Sequence, residues 1–414
     1  MIFSKEEVNT GRQRELDLVK AVAIILMILI HIYENVCVGL KSPMEEAFVR
    51  YLGFPVGPTA FMFCLGMGLM YSRNRSVQSN IIRGVMVLTF GQLLIFVREM
   101  LPNFIGYLTG MGGDGSFARF ALIFSVDIMQ FAGLTFLAMA LFKALHLKNW
   151  HIMLISLALS IVGTLVAGVS TGNYFIDQVL GYFVRTNTES YFPFFNWFIF
   201  PAFGLGFGEV YRHLQDKKKF FIRFLPFGAA FTAFYYIMNF CVDQNVFVIF
   251  RTYPDFTGMG TPDALACLVI VLTEIGIMAA IGSLLSDKVM KPFSFISSNI
   301  NKFYCVSWCL IIFTYAILDG AFDIHVATDL GAVIVWVVLL TLTWLIIVIY
   351  KKWLEKPMGR FFRKKMFFWI TLVWVGSAAI AIAVFPRITD YDAYPNYLNE
   401  YLEESVTTAS SGQD

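Results

Sequence analysis

The sequence predicts an all-α, polytopic integral membrane protein with about eleven transmembrane helices. The first observation is composition: 58% of the 414 residues are hydrophobic and 14% are charged, whereas soluble domains usually carry about 25% charged residues. The second is a series of long apolar runs, each near the ~20 residues that a helix needs to cross a bilayer. The third is an alternation of basic residues between successive connections, which is typical of membrane topology.

The apolar runs also define the domain boundaries. Residues 1–17 are expected to form a cytoplasmic leader, residues 18–385 a single transmembrane domain, and residues 386–414 an acidic extracytoplasmic tail with a disordered end. The candidate spans lie near residues 18–38, 54–72, 81–100, 120–142, 151–169, 192–211, 222–241, 264–286, 303–320, 330–350 and 366–385.

The basic residues assign a direction to these spans. They concentrate in every second connection, from the leader to the run between Lys351 and Lys365. The opposite connections hold fewer, namely Lys41, Arg50, Arg98, Arg119, Arg185, Arg251 and Arg387. Because positive residues favour the cytoplasmic side, the N-terminus is predicted inside and the C-terminus outside. A cell-membrane location and a lipid bilayer as partner follow from this layout. The sequence has no basic arm or motif that would indicate a nucleic-acid partner.

The first span carries ionisable residues that lipid tolerates only when they face protein or water. Asp17, Lys20 and His31 recur at spacings of three and eleven residues, so they share one face of a helix. Lys20 is expected near the cytoplasmic end, and His31 about 16 Å further along the axis, in the outer half of the membrane. Glu34 follows at a spacing that can orient the imidazole. Neutral imidazole suits a general base or nucleophile; the alternative is a buried histidine satisfied by a neighbouring helix.

Other spans hold further ionisable residues. Asp127 is expected about two turns below the outer surface in the fourth span, at the depth of His31. One interpretation is an Asp127–His31 pair that fixes the imidazole tautomer; the alternative is an Asp127 bonded to backbone or other side chains. Arg98 and Glu99 close the third span and either pair with each other or contribute to an outer vestibule. Glu274 in the eighth span is a buried acid without an identified partner.

The cytoplasmic ends of the second and third spans carry Arg73, Arg75 and Arg83. These arginines either reflect topology alone or form a phosphate clamp for an anionic cosubstrate, with Lys20 nearby. The cysteines all lie in or beside apolar segments, and no Cys-x-x-Cys pair occurs. They are expected to be packing residues, and no metal site is predicted.

Three motifs in order resemble the transmembrane acyltransferase superfamily, which includes the acyltransferase-three proteins and the heparan-α-glucosaminide N-acetyltransferase relatives. The first is Arg14-x-x-Asp17-x-x-Lys20, followed by ten residues and His31. The other two are residues 53–68, rich in proline, phenylalanine and glycine, and residues 192–208, which run from Phe-Pro-Phe-Phe-Asn-Trp to three spaced glycines. With the layout of about eleven spans, the resemblance covers most of residues 12–385.

The resemblance implies a membrane-bound acyltransferase. Its donor would be cytoplasmic acyl-CoA, most simply acetyl-CoA, and its acceptor an extracytoplasmic sugar hydroxyl or amine of a glycan. His31 takes the place of the functional histidine, Lys20 that of the usual arginine, and Asp17 that of the preceding aspartate. Asp127 or Glu34 would hold the imidazole ring. The anionic end of the donor is expected against the residues of the cytoplasmic side, Arg14, Asp17, Lys20, Arg73, Arg75 and Arg83.

Two departures from the family pattern bear on this interpretation. Lys20 replaces an arginine and therefore loses bidentate phosphate recognition, and Asn196 replaces the second proline of the Phe-Pro segment. The glucosaminide branch typically lacks a histidine at the position of His31, so both branches stay open. The rival functions are a proton-coupled transporter or lipid-linked sugar flippase with a relay of His31, Asp127 and Glu274, and a non-catalytic envelope assembly protein.

Overall fold

The computed structural model describes residues 2–37, 40, 42–53, 56–72, 74, 76–109, 123–186, 190–240 and 259–384. Within these ranges the chain is helical, with isolated β-bridges and no strand. The helices are Arg14–Asn35 (α1), Pro43–Glu46 (α2), Gly57–Tyr71 (α3), Val77–Ile95 (α4), Leu101–Thr109 (α5), Ile128–Ala144 (α6), Asn149–Leu165 (α7), Tyr174–Leu180 (α8), Phe194–Trp197 (α9), Ile199–Arg212 (α10), Lys217–Phe240 (α11), Thr261–Leu284 (α12), Asp287–Ser298 (α13), Ile300–Tyr315 (α14), Asp329–Ile349 (α15), Glu355–Lys364 (α16) and Met366–Val384 (α17). Short π-helical stretches are Ala47–Gly53, Phe96–Met100, Ala316–Ala321 and Tyr350–Leu354.

Several helices are long and apolar enough to cross a membrane. Within the described residues there are 7, at Arg14–Asn35, Val77–Gly106, Lys217–Met238, Thr261–Leu284, Ile300–Ala321, Asp329–Phe362 and Met366–Ala383. Shorter apolar helices form at α3, α6 and α7. The all-α, multi-pass membrane class predicted from the sequence is therefore confirmed. Each predicted span contains a helix, but the number near eleven and the direction of the crossings stay predictions.

The fourth span is predicted at residues 120–142, but the helix in this region begins later in the chain. Helix α6 begins at Ile128, and Asp127 is its N-cap, accepting a hydrogen bond of 2.6 Å from the Ile128 backbone N–H. Residues 110–122 lie outside the described part of the chain. A carboxylate at the N-cap satisfies an otherwise unpaired backbone donor, so Asp127 ends the extended segment instead of lying within the helix. The apolar run alone did not show this boundary.

Helix α1 is the central element of the bundle. It packs against α3, α12, α13, α14 and α15. In the apolar 18-residue stretch of α1, 67% is buried inside the protein, compared with 11% in the corresponding stretch of the last helix, α17. The ionisable residues on α1 therefore meet protein groups or a cavity, as the sequence pattern predicts.

The glycines of the second and third sequence motifs bring α3 and α10 into backbone contact. A Cβ atom at Gly66 would lie 2.0 Å from the Pro201 carbonyl oxygen, and one at Gly204 would lie 2.1 Å from that of Phe63. No larger residue fits at either position without separating the helices. Close approach through small residues is the usual packing mode where lipid supplies no hydrophobic driving force between helices. These motif positions are therefore structural.

The start of α1 is anchored by a buried carboxylate. Asp17 accepts hydrogen bonds from Ser297 (2.6 Å) and Ser294 (3.0 Å) of α13, and it pairs with Arg12 at 2.5 Å. On another side, Glu15 pairs with Lys217 at 2.7 Å. These contacts hold the first turn of α1 between α13 and the start of α11.

We expect Asp17→Ala to lower the free energy of unfolding by about 1–3 kcal/mol, because two serine hydroxyls lose a charged acceptor in a buried site. The matched control is Asp287→Ala, which removes an exposed partner of Arg14 and should cost less than about 1 kcal/mol. Denaturant titration of the purified protein in detergent measures both. Equal losses in the two variants would contradict the anchoring role.

Candidate active site

A cavity of about 1030 Å³ lies among α1, the start of α3, α5 and α14. Along α1 it extends from Ala23 to Asn35, which is about 18 Å of helix axis. Most of its wall is apolar. Its polar lining residues include His31, Glu34, Asn35, Arg98, Glu99, Asn103, Ser125, Asp127, Tyr191, Tyr304, Trp308 and Asp319. The cavity therefore collects in one space several residues that the sequence placed on different spans.

His31 lies on the cavity wall near the end of α1. Its Nδ1 atom is 2.6 Å from a carboxylate oxygen of Glu34. An ionised carboxylate only accepts hydrogen bonds, so the hydrogen of a neutral imidazole resides on Nδ1 and Nε2 keeps its lone pair. Nε2 has no hydrogen-bond partner among the described residues. The Trp308 ring packs against the imidazole, with centroids 4.1 Å apart.

A buried ion cluster forms the neighbouring wall. Arg98 donates to Asp127 at 2.7 Å and to Glu99 at 2.7 Å. The hydroxyl group of Tyr304 also donates to Asp127, at 2.7 Å. The cluster accordingly satisfies the Asp127 carboxylate without His31, and the predicted Asp127–His31 hydrogen bond is not formed. Arg98 and Glu99 pair with each other, and both line the cavity; that the cavity is an outer vestibule stays a prediction.

Trp308 connects the two groups of residues. Its ring contacts His31, and the Arg98 guanidinium carbon lies 4.3 Å from its centroid. Sequence reasoning missed both Trp308 and Tyr304, which lie on α14. One signal was available, because a spacing of four residues places the two aromatic side chains on one helix face. A tryptophan in an apolar run does not, however, distinguish a lipid-facing site from a cavity wall.

Comparison with known proteins gives one decisive match. Residues 12–251 match the family described as heparan-alpha-glucosaminide N-acetyltransferase, catalytic. The chain belongs to this family. It is thus an acetyltransferase-type membrane enzyme, and the family resemblance drawn from its motifs is confirmed. A comparison with curated proteins gives no significant match. The match includes His31, Arg98 and Asp127, whereas Tyr304 and Trp308 lie beyond it.

In this acetyltransferase, Lys20 lies about one helical turn before Ala23, where the cavity begins along α1. Its side chain is half-buried and forms no hydrogen bond or ion pair with any described residue. It is separated from His31 by about 16 Å of helix axis.

The other residues predicted to hold a donor are already partnered or undescribed. Arg14 pairs with Asp287 at 3.2 Å, and Asp17 is held by the serines of α13. Arg83 donates to the Ser72 hydroxyl at 3.1 Å. Arg73 and Arg75 lie outside the described residues. Arg14 and Asp17 thus both lie in the first turn of α1, where they make structural contacts.

We expect Arg98→Met to cost about 3–5 kcal/mol of unfolding free energy, because it leaves the Asp127 carboxylate buried beside an apolar side chain. Adding Asp127→Asn in the same chain should recover part of that loss, since the uncompensated charge is removed. Lys302→Met serves as the control: it breaks an ion pair with Glu355 that is more than a third exposed on both sides, and it should cost less than about 1 kcal/mol. A double variant no more stable than Arg98→Met would contradict the charge pairing.

Proposed function

We propose that this enzyme transfers an acetyl group from acetyl-CoA to a hydroxyl or amine of a sugar acceptor, with His31 as the general base. One observation carries the proposal: His31 lies on the wall of a large cavity with Nδ1 held by Glu34 and Nε2 without a protein partner. Family membership supports the acetyl donor. A base held in one tautomer next to an open space is suited to receive a proton from a bound acceptor.

The chemistry is then a single acyl transfer. The acceptor oxygen or nitrogen attacks the thioester carbonyl while its proton moves to Nε2 of His31. The carbon–sulfur bond breaks, and the CoA thiolate leaves with the proton from the imidazolium. Glu34 keeps the ring in place and stabilises its positive charge, as the carboxylate does in a catalytic triad. The Trp308 face adds a favourable contact with the cationic ring.

The donor is proposed to enter from the Arg14 end of α1. That end carries Lys20, and the sequence adds Arg73 and Arg75 as candidate partners for the phosphates of a nucleotide. The cavity begins at Ala23, about one helical turn beyond Lys20. The arm of a CoA molecule whose phosphates lie near Lys20 therefore has to pass only that turn to reach the cavity. Arg14 and Asp17 would support this site indirectly, because their contacts hold the start of α1.

The acceptor is proposed to enter from the opposite end. Glu34, Glu99 and Asp319 line the cavity there, and carboxylates accept hydrogen bonds from sugar hydroxyls and amines. Tyr191 adds an aromatic surface to the same lining. With the topology predicted from the basic residues, this end faces outward from the cell membrane. A glycan acceptor on the outer side fits both the charge and the position.

We expect His31→Gln to lower the rate of acetyl transfer by about 10²–10⁴-fold, because glutamine keeps a polar group at the site but cannot take a proton. Purified protein in detergent is incubated with radiolabelled acetyl-CoA and an amino sugar, and both free thiol and labelled product are measured.

The matched control for this experiment is His146→Asn. His146 is exposed and has a φ of 54°, a backbone conformation that asparagine accommodates, so its transfer rate should equal that of the wild type. A folded His31→Gln protein with wild-type transfer would falsify the proposed role. Uptake of a solute into liposomes with an intact thioester would favour a transporter instead.

A further inference from the structure

Glu274 on α12 is a buried acid that the proposed chemistry does not use. Its side chain is 8% exposed. Neither of its carboxylate oxygens has a hydrogen-bond partner among the described residues. A carboxyl group in either protonation state is costly to bury without a partner. A partner that the described protein groups do not supply would remove this cost.

The packing of α12 against α1 fixes the depth of Glu274. A Cβ atom at Gly282 would lie 3.2 Å from Leu18 and 3.8 Å from Arg14, so the end of α12 meets the start of α1 and the helices run antiparallel. Glu274 lies eight residues before Gly282, which is about 12 Å along the axis. The same rise along α1 leads to about Ile24, which lines the inner end of the cavity.

Neighbouring residues confirm that depth. Phe61 lines the cavity, and Cys64 lies one turn further along α3. The Cys64 thiol is within electrostatic reach of both Lys20 and Glu274. Lys20 itself lies one turn before Ala23, at which the cavity begins. Glu274 therefore lies near the level of the inner end of the cavity, on α12, and Lys20 lies about one turn closer to the start of α1.

We propose that Glu274 is a binding residue for the pantetheine arm of the acyl-CoA donor. This inference rests on the proposed function, because it requires a donor that passes from the Arg14 end to His31. The arm carries two amides and a hydroxyl, which need partners when it is enclosed by protein. Glu274 accepts a hydrogen bond from one of these donors and thereby gains the partner that it lacks among the described residues.

The distance along the path selects the part of the arm that Glu274 meets. Ile24 and His31 are seven residues apart, or about 10 Å along α1. In an extended arm at roughly 3.3–3.6 Å per three bonds, the second amide and the hydroxyl lie about that far from the sulfur. With the thioester at His31, these groups reach the level of Glu274. The amide next to the sulfur stays inside the cavity.

The test compares two donors on the full-length protein. Acetyl-CoA has the whole arm, whereas S-acetyl-N-acetylcysteamine has only the amide nearest the sulfur. We expect Glu274→Leu to raise the KM for acetyl-CoA about tenfold or more, with little change for the short donor. Glu274→Gln, which still accepts hydrogen bonds, should have a smaller effect. The melting temperature of Glu274→Leu should equal or exceed that of the wild type, because an unpartnered polar group is removed.

The control on the same helix is Thr273→Val, whose hydroxyl bonds to the backbone of its own helix and whose KM should not change. Calorimetric binding of CoA alone gives the same comparison without chemistry. An unchanged KM and CoA affinity in Glu274→Leu would overturn the inference, even if His31→Gln is inactive. Equal losses with both donors would also overturn it, because they would indicate a role in folding or proton transfer. Activity in His31→Gln would instead remove the proposed function.

Discussion

The burial of ionisable groups on α1 is the constraint on which the rest of the structure depends. A helix with Asp17, Lys20 and His31 on it cannot face lipid, because each charge or polar ring would lack a partner there. The surrounding helices meet this requirement in different ways along the axis. Serines of α13 satisfy Asp17 at one end, and Glu34 and Trp308 contact His31 near the other. The cavity lies along the same helix from Ala23 to Asn35, so His31 faces a protein-lined space instead of lipid.

The site is completed by a part of the chain beyond the family match. Residues 12–251 supply His31, Arg98 and Asp127, and α14 supplies Trp308 and Tyr304. Tyr304 shares Asp127 with Arg98, and Trp308 contacts both Arg98 and His31. The ion cluster is therefore structural support for the imidazole through the indole ring. This arrangement explains why an aspartate at the depth of a histidine does not bond to it: the arginine, already buried, is the stronger partner for a carboxylate.

Part of the site was accessible from residue spacing, and part was not. The spacing of His31 and Glu34 predicts contact within one helix, and the structure shows it. The prediction for Asp127 assumed that an apolar run is helical throughout, whereas the aspartate begins the helix as its N-cap. Its partners come from α4–α5 and α14, and no local pattern encodes which helices are neighbours. The glycines at positions 66 and 204 look like motif residues of a site, but their role is the contact of two backbones.

The amino-acid sequence by itself determined the membrane environment, the helical class and the helix on which the candidate base lies. These follow from hydropathy and from periodicity along one helix, which depend only on neighbours in the chain. Tertiary structure decided which spans surround α1, which residue holds Asp127, and that the buried Glu274 has no hydrogen-bond partner among the described residues. Such pairings depend on how helices pack against one another, and many sequences with the same hydropathy satisfy the bilayer equally well.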